Sequence, residues 1–316
     1  MSPISRVYEA ARVRLVRPVI RARGALLRRF QPNRAPRLDA ALDAIPILVL
    51  GCHRSGTSLL RRCLNSHSRI ACPAETLFLE SFAAALDYPD AERGYAAIGM
   101  RPQRPARELR ELAESWMREH AAREGKPRWA DKSPGVLGHL GGLEQMFGTR
   151  ARYLAIVRDG MDVATSLGSA DPMWWQLEPH LAPDGDRYLA AARYWVARNR
   201  ALRAFLDRHR SHSHVVRYEI LVQRPEATLR AVFASLGEAW EPEVLDFNRH
   251  HHRDGLLEDH HVGTTTRFED NSGKHRRLPQ PLQVKMWDIV RETMMSFGYE
   301  DRSYASVSRP LAESVG

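Results

Sequence analysis

Short apolar runs separated by longer amphipathic segments are the main pattern along this chain. Apolar runs at Ile47–Leu50, 70–72 and 151–157, together with the stretch 214–221, predict buried strands. The longest segment with helical periodicity is Arg187–Arg208. Strands that alternate with helices favour a parallel sheet. We therefore predict an α/β fold, with a P-loop-like central parallel β-sheet of about five strands and helices on both faces.

Prolines mark the boundaries of several predicted helices. Residues 82–126 are rich in Ala, Glu and Arg, and we predict helices there that break at Pro89, Pro102 and Pro105. Residues 136–147 predict a further helix. Pro225 suits the first turn of the helix that follows it, and residues 282–297 predict the last helix.

Composition limits the class of protein. The chain has 316 residues, 43% of them hydrophobic, which is enough for one large α/β domain with appendages. No run of about 18 apolar residues occurs, so we expect no membrane span. Arginines interrupt the apolar stretches near the N-terminus, which does not fit a secretory signal. Three clustered cysteines fit a reducing compartment, and we expect a cytoplasmic protein.

The formal net charge of +9 raises the question of nucleic-acid binding. The sequence has no basic repeat interleaved with aromatic residues and no helix-turn-helix pattern, so we expect no nucleic-acid partner. A polyanionic cofactor would account for part of the charge.

The stretch after the first strand predicts a phosphate-binding loop. Gly51 and Gly56 have the spacing of the nucleotide-hydrolase loop Gly-x-x-x-x-Gly-Lys-Ser/Thr, but Thr57 stands at the lysine position. Arg54 lies inside the loop, beside hydroxyl donors at Ser55, Thr57 and Ser58. This composition suits one phosphate-type group at a helix start rather than a magnesium-bridged triphosphate. An ordinary strand-to-helix turn is the alternative.

Residues 46–60 resemble the 5′-phosphosulfate loop of the sulfotransferases, most of all the tyrosylprotein sulfotransferases and related bacterial proteins. The resemblance extends over roughly residues 46–290. It implies in-line transfer of a sulfuryl group from 3′-phosphoadenosine 5′-phosphosulfate (PAPS) to an acceptor hydroxyl, with adenosine 3′,5′-bisphosphate as product. It also implies that the 5′ end of PAPS is held by Arg54, Ser55, Gly56, Thr57 and Ser58.

Two further residues match catalytic positions of that family. Glu75 follows the second predicted strand and matches the general base, which takes the proton of the attacking hydroxyl. A carboxylate that only stabilises a helix start is the alternative. Lys132 matches the lysine that lies against the sulfate, where it and Arg54 would neutralise developing charge. A solvated ion pair with Asp131 is the alternative.

The resemblance also implies residues for the rest of the nucleotide. Arg158 ends a predicted strand, and Ser166 follows eight residues later, as in the family's 3′-phosphate motif. Tyr218 matches a tyrosine that touches the nucleotide. Lys274 is our candidate for a lysine in a C-terminal segment that closes over it, with Arg276 as its rival.

The sequence departs from the family pattern at two positions. Ala130 stands where animal members have a cysteine, so the family's disulfide with Cys72 cannot form. Ala170 replaces an arginine that some members carry. The histidines within residues 250–261 match no zinc signature, so we expect a polar loop there and no metal.

These observations divide the chain into three parts: a basic N-terminal extension at 1–40, a sulfotransferase domain at 41–305, and a tail at 306–316. Within the domain we predict a lid or acceptor loop at about 169–187 and a nucleotide-covering segment at about 250–280. In the lid, Trp174 and Trp175 would stack on an acceptor or pack in the core.

Several questions stay open at the level of sequence. The acceptor hydroxyl could belong to a tyrosine, a glycan, a lipid or a small metabolite. The basic extension is either a peripheral contact with an anionic membrane or partner, or a solvated segment. A homodimer is compatible with the sequence. The alternative functions are a non-catalytic nucleotide-binding protein and a kinase-like P-loop protein, and Thr57 argues against the latter.

Overall fold

The computed structural model describes residues 45–170, 172–183, 185–250 and 267–302. Three predicted features lie outside the described residues: the basic extension 1–40, the histidine-rich stretch 251–261, and the tail 306–316.

Five parallel strands form the centre of the domain. They are β1 (Ile47–Leu50), β2 (Ile70–Ala71), β3 (Arg128–Lys132), β4 (Arg152–Val157) and β5 (Ser213–Arg217). Their order in the sheet is β2-β3-β1-β4-β5, and every neighbouring pair is parallel. The predicted α/β fold with a central parallel sheet is confirmed.

Ten α-helices lie in the described part of the chain. They are α1 (Thr57–Ser66), α2 (Phe78–Asp87), α3 (Ala91–Ala97), α4 (Gln103–Arg123), α5 (Leu140–Phe147), α6 (Gly160–Gly168), α7 (Arg187–Arg208), α8 (Tyr218–Gln223), α9 (Pro225–Leu236) and α10 (Gln280–Ser296).

The sheet is buried on both faces because successive side chains of each strand point to opposite sides. Leu48 and Leu50 of β1 join one apolar core, which is covered by α2, α4 to α7 and α10. Ile47 and Val49 join a second core under α1, α8 and α9. This explains why β1 appears in the sequence as a continuous apolar run.

Three local predictions need correction. Pro105 does not break a helix: it is the third residue of α4, where a backbone N–H has no intrahelical acceptor. Residues 136–147 form a 3₁₀ turn (Pro134–Gly138) before α5 rather than one helix. The strand predicted at 214–221 ends at Arg217, and Tyr218 begins α8. The loop after α6 contains a 3₁₀ helix, Trp175–His180.

No helix in the described ranges is both long and apolar enough to cross a membrane. Cys52, Cys63 and Cys72 are free and buried, in keeping with the absence of the family's disulfide.

The carboxyl ends of the five strands gather the candidate residues at one edge of the sheet. Arg54 follows β1, Glu75 follows β2, Lys132 ends β3, Arg158 follows β4, and Tyr218 follows β5. After the central strand β1, the chain forms β2 and β3 on one side of it and then β4 and β5 on the other. Parallel sheets form their ligand crevice at such a switch point.

Candidate active site

The loop between β1 and α1 is shaped to hold an anion. Arg54 and Gly56 have left-handed backbone angles, with φ of 67° and 91°. The Ser55 N–H donates to the Cys52 carbonyl at 3.1 Å, and α1 begins at Thr57. Left-handed residues just before a helix N-terminus turn several backbone N–H groups toward one concavity.

Close packing explains the glycine spacing of this loop. A Cβ on Gly56 would lie 2.5 Å from the Tyr218 ring. A Cβ on Gly51 would lie 2.8 Å from the Ile156 carbonyl oxygen. The loop therefore rests directly on β4 and on the start of α8.

Two buried polar atoms near the loop lack a protein partner within the described ranges. They are Ser55 Oγ, on a fully buried residue, and Arg158 Nε. Buried donors without partners are rare in native proteins. Both groups can donate to a phosphate oxygen, so the residues present fit an anionic nucleotide group.

Lys132 joins the loop to the candidate base. Its Nζ donates to Glu75 Oε1 at 2.8 Å and to Ser58 Oγ at 3.2 Å. The lysine side chain is 0% exposed and that of Glu75 is 16% exposed, so this is no solvated surface pair. β3 was not among the predicted strands, and it is buried along its whole length. The strand holds the ammonium group rigidly beside the first turn of α1.

Asp131 holds the segment that carries Glu75. Thr76 Oγ1 donates to Asp131 Oδ1 at 2.7 Å, which ties the residue after Glu75 to β3. Asp131 is 4% exposed, and burial raises the pKa of its carboxyl to about 6. Asp131 is therefore a positioning residue for the candidate base.

Asp131→Asn should change how stability depends on pH. The folded carboxyl keeps its proton to about pH 6 and the unfolded one loses it near 3.8, so the wild-type free energy of unfolding falls as pH rises between them. Asparagine does not titrate and still accepts from Thr76. Urea unfolding should show that the free energy of unfolding of the variant, taken relative to wild type, rises by about 2 kcal/mol between about pH 4 and about pH 7.

The matched control is Asp288→Asn, which alters an exposed aspartate in α10. Its stability difference from wild type should be constant over the same pH range. If the stability of Asp131→Asn relative to wild type were also constant over this pH range, burial would not raise the pKa of Asp131 as assigned.

Arg158 lies where the loop, α8 and the C-terminal segment meet. Its Nη1 donates to the Arg54 carbonyl at 3.2 Å, and its Nη2 donates to the Asn271 carbonyl at 2.7 Å. The guanidinium lies 4.4 Å from the centroid of the Tyr218 ring. Tyr218 Oη donates to the Glu269 carbonyl at 3.1 Å. The structure thus brings Arg158 and Tyr218 together beside the loop.

Ser166 contacts Arg54 rather than Arg158. Arg54 Nε donates to Ser166 Oγ at 3.0 Å, on the exposed side of the site. Ser166 lies in α6, which begins at Gly160, two residues after Arg158. The serine hydroxyl therefore lies next to the phosphate loop.

Sequence reasoning missed Asp162, which holds the covering segment. Asp162 accepts the Gly273 N–H at 2.7 Å, the His275 N–H at 3.3 Å and the His275 ring at 2.8 Å. Its side chain is 0% exposed. Burial opposes ionisation, but the bonds from His275 and Gly273 outweigh it and lower the pKa of Asp162. The carboxylate fixes residues 271–275 across the site.

Asp162, Asp159 and His275 have oxygen and nitrogen atoms within 4.8 Å of one another, a spacing that a metal ion could use. In this structure those atoms are occupied by hydrogen bonds to the protein, including a contact between Arg302 and Asp159. The cluster serves to hold the C-terminal segment.

Lys274 is exposed in the 3₁₀ turn Lys274–Arg277. Among the described residues it makes no hydrogen bond or ion pair with the other candidates. Arg276 is equally exposed and packs against Gly273. The choice between these two residues stays a prediction.

Another residue that sequence reasoning missed is His53. Its Nδ1 lies 2.9 Å from Tyr194 Oη, and its ring centroid lies 4.6 Å from that of Trp174. Trp174 is half-buried here, whereas Trp175 is 54% exposed. The predicted acceptor loop therefore packs directly against the phosphate loop. The sequence signal was a histidine ring directly before Arg54 in the loop.

These features together define a class: α/β proteins that hold a phosphate-type group on a strand–loop–helix unit and place a lysine–carboxylate pair beside it. Within that class, a sequence model described as "Sulfotransferase family" matches residues 46–242. The match spans more than half of the chain, and the chain belongs to the sulfotransferase family.

Solved structures show the same fold. The sulfotransferase domain from the curacin biosynthetic pathway is 20% identical, with a TM-score of 0.57 over 85% of this chain and 100% of that one. The sulfotransferase domain of the Synechococcus PCC 7002 olefin synthase is 19% identical, with a TM-score of 0.56 over 86% and 100% of the two chains. No curated protein matches the sequence.

Proposed function

We propose that the protein transfers a sulfuryl group from PAPS to an acceptor hydroxyl, with Glu75 as general base. The observation that carries the proposal is the buried ion pair between Lys132 Nζ and Glu75 Oε1 at 2.8 Å. The same Lys132 Nζ donates to Ser58 Oγ at the start of α1. A base, a cation and an anion-binding loop thereby lie within one small volume.

The residues divide into those for the 5′ end and those for the 3′ end of the nucleotide. The backbone N–H groups of residues 54–58 and the unpartnered Ser55 Oγ would hold the 5′ end. Arg158, with Ser166, would hold the 3′-phosphate, because a buried guanidinium forms charge-assisted bonds to phosphate oxygens. Tyr218 would support Arg158 through its ring.

PAPS supplies an activated sulfuryl group when it is bound. Glu75 would accept the proton of the acceptor hydroxyl. Lys132 and Arg54 would neutralise negative charge on the sulfuryl and leaving oxygens. Lys132 needs no reorganisation for this, since β3 already fixes its position.

The kinase-like alternative lacks support because Thr57 stands at the position of the triphosphate-binding lysine. A non-catalytic nucleotide-binding protein would have no need for a buried lysine–carboxylate pair beside the loop. A glycan, a tyrosine, a lipid and a small metabolite all remain acceptor classes for the proposed reaction.

The test is calorimetric titration with adenosine 3′,5′-bisphosphate, adenosine 5′-phosphate and ATP. Wild type should prefer the bisphosphate. Arg158→Ala should weaken bisphosphate binding about fiftyfold, the loss of roughly 2 kcal/mol expected for charge-assisted bonds to one phosphate. Its affinity for adenosine 5′-phosphate should change little, because that nucleotide has no 3′-phosphate.

The control is Arg118→Ala, which removes an exposed arginine on α4 paired only with surface Glu114 in the described residues. A preference for ATP in wild type would overturn the proposal. So would an equal loss of both adenosine nucleotides in Arg158→Ala.

A further inference from the structure

A hydrogen-bonded chain of side chains links the phosphate loop to the acceptor loop. His53, in the phosphate loop, contacts Tyr194 Oη through Nδ1 at 2.9 Å. Tyr194 Oη in turn donates to Gln176 Oε1 at 3.2 Å, in the 3₁₀ helix of the acceptor loop. The chain is supported from one side by Trp174, whose ring lies 4.6 Å from His53 and 5.3 Å from Tyr194.

Counting the protons shared along the hydrogen bonds from His53 to Tyr194 to Gln176 gives the tautomer of His53. A phenol has one proton, and Tyr194 uses it on the amide oxygen of Gln176. The phenol oxygen, which also accepts from Arg198, must therefore accept at its contact with His53, so His53 Nδ1 carries the imidazole proton. His53 Nε2 is then a bare lone pair, able only to accept a hydrogen bond.

The Nε2 atom is not fully enclosed by protein. It forms no hydrogen bond with a described residue, and it is not among the fully enclosed polar atoms that lack a partner. The imidazole also stays neutral. Burial is the largest cause that lowers the pKa of His53 to about 3, and the charges of Arg198, Lys132 and Arg54 lower it further.

We propose that His53 is an acceptor-binding residue whose Nε2 accepts a hydrogen bond from a second hydroxyl of the acceptor, next to the one that is sulfated. The inference rests on the proposed function. It assigns the acceptor to polyhydroxylated, sugar-like molecules.

Glu75 and His53 Nε2 must each receive a hydrogen from a different hydroxyl of the acceptor molecule. This requirement leads to the polyhydroxylated class. Glu75 takes the proton of the attacking hydroxyl, and a hydroxyl has only one proton to donate. His53 Nε2 therefore needs a different donor. A polyol offers neighbouring hydroxyls, and the exposed part of the half-buried Trp174 ring beside His53 would be the surface for the C–H face of a sugar. A simple phenol offers a single hydroxyl and would leave Nε2 without a partner.

The first measurement is the tautomer of His53 in the full chain, from nitrogen–proton correlation spectra of protein with labelled histidine. In wild type the proton should lie on Nδ1. Tyr194→Phe should give a mixture of tautomers, because the ring then has no oxygen to accept from Nδ1. A wild-type proton on Nε2 would overturn the proposal, since that nitrogen could not accept.

The second measurement is the transfer of radiolabelled sulfate from PAPS to a panel of methyl hexopyranosides, with p-nitrophenol as the single-hydroxyl comparison. Wild type should sulfate at least one glycoside faster than p-nitrophenol. His53→Asn keeps a donor for Tyr194 and removes Nε2. It should raise the KM for that glycoside about tenfold, the value of one lost hydrogen bond, and leave the KM for p-nitrophenol unchanged.

The control is His212→Asn, which changes a histidine just before β5, at the opposite edge of the sheet. No transfer to any glycoside by wild type, with bisphosphate binding intact, would overturn the polyol assignment. An equal effect of His53→Asn on both acceptor types would overturn the role of Nε2. Failure of wild type to bind the bisphosphate would instead count against the proposed function itself.

Discussion

Lys132→Met is expected to slow sulfuryl transfer about a thousandfold, equivalent to roughly 4 kcal/mol of transition-state stabilisation. The ammonium group is 0% exposed and bonds both Glu75 and Ser58, so its charge acts without competition from water. Methionine keeps most of the side-chain volume and removes only the charge and its donors. The measurement is single-turnover release of radiolabelled sulfate from PAPS, with water as the acceptor always present.

Nucleotide binding separates a catalytic effect from a folding effect in this variant. The affinity for adenosine 3′,5′-bisphosphate should stay near that of wild type, because Arg158 and the loop N–H groups are untouched. Lys285→Met, which alters an exposed lysine in α10, is the matched control and should be fully active. A rate within about threefold of wild type for Lys132→Met would exclude the lysine from the chemistry.

Asp162→Ala is expected to destabilise the protein by about 3 kcal/mol, because a fully buried carboxylate that accepts three hydrogen bonds is lost. The His275 N–H is left buried without its acceptor, and the segment around Gly273 loses its attachment to α6. Urea unfolding at neutral pH measures the effect. Bisphosphate binding should weaken as well, since the same segment reaches Arg158 through Asn271.

The matched control is Asp288→Ala, which removes an exposed aspartate on α10 and should change stability by less than about 0.5 kcal/mol. If Asp162→Ala changed stability as little as this control does, the covering segment would be held by other contacts. Loss of stability with unchanged nucleotide affinity would separate the segment from the binding site.

The parts of the fold and site that depend on neighbouring residues could be predicted from the sequence. The apolar run of β1, the glycine spacing of its loop and the periodicity of Arg187–Arg208 are local patterns, and the structure has them where predicted. Lys132 is different, because its strand β3 has a charged sequence and was not among the predicted strands. The burial of β3 follows from its pairing with β1 and β2, which no short window of sequence contains.

The missed residues depend on contacts between distant parts of the chain. Asp162 meets His275 across 113 positions, and His53 meets Tyr194 across 141. Neither residue differs, in its own neighbourhood, from a polar residue at a helix start or in a turn. Only the packing of α7 and the C-terminal segment against the strand ends gives them partners.

The arrangement of one candidate residue at the end of each strand has a consequence for assembly. Arg54 and Tyr218 are 164 positions apart, and Arg158 links them only when β1, β4 and β5 are all in register. Parallel strands pair through long crossovers, so these contacts form late and together. A half-folded chain would therefore hold these side chains apart. Binding of the proposed nucleotide would report that β1, β4 and β5 have all paired.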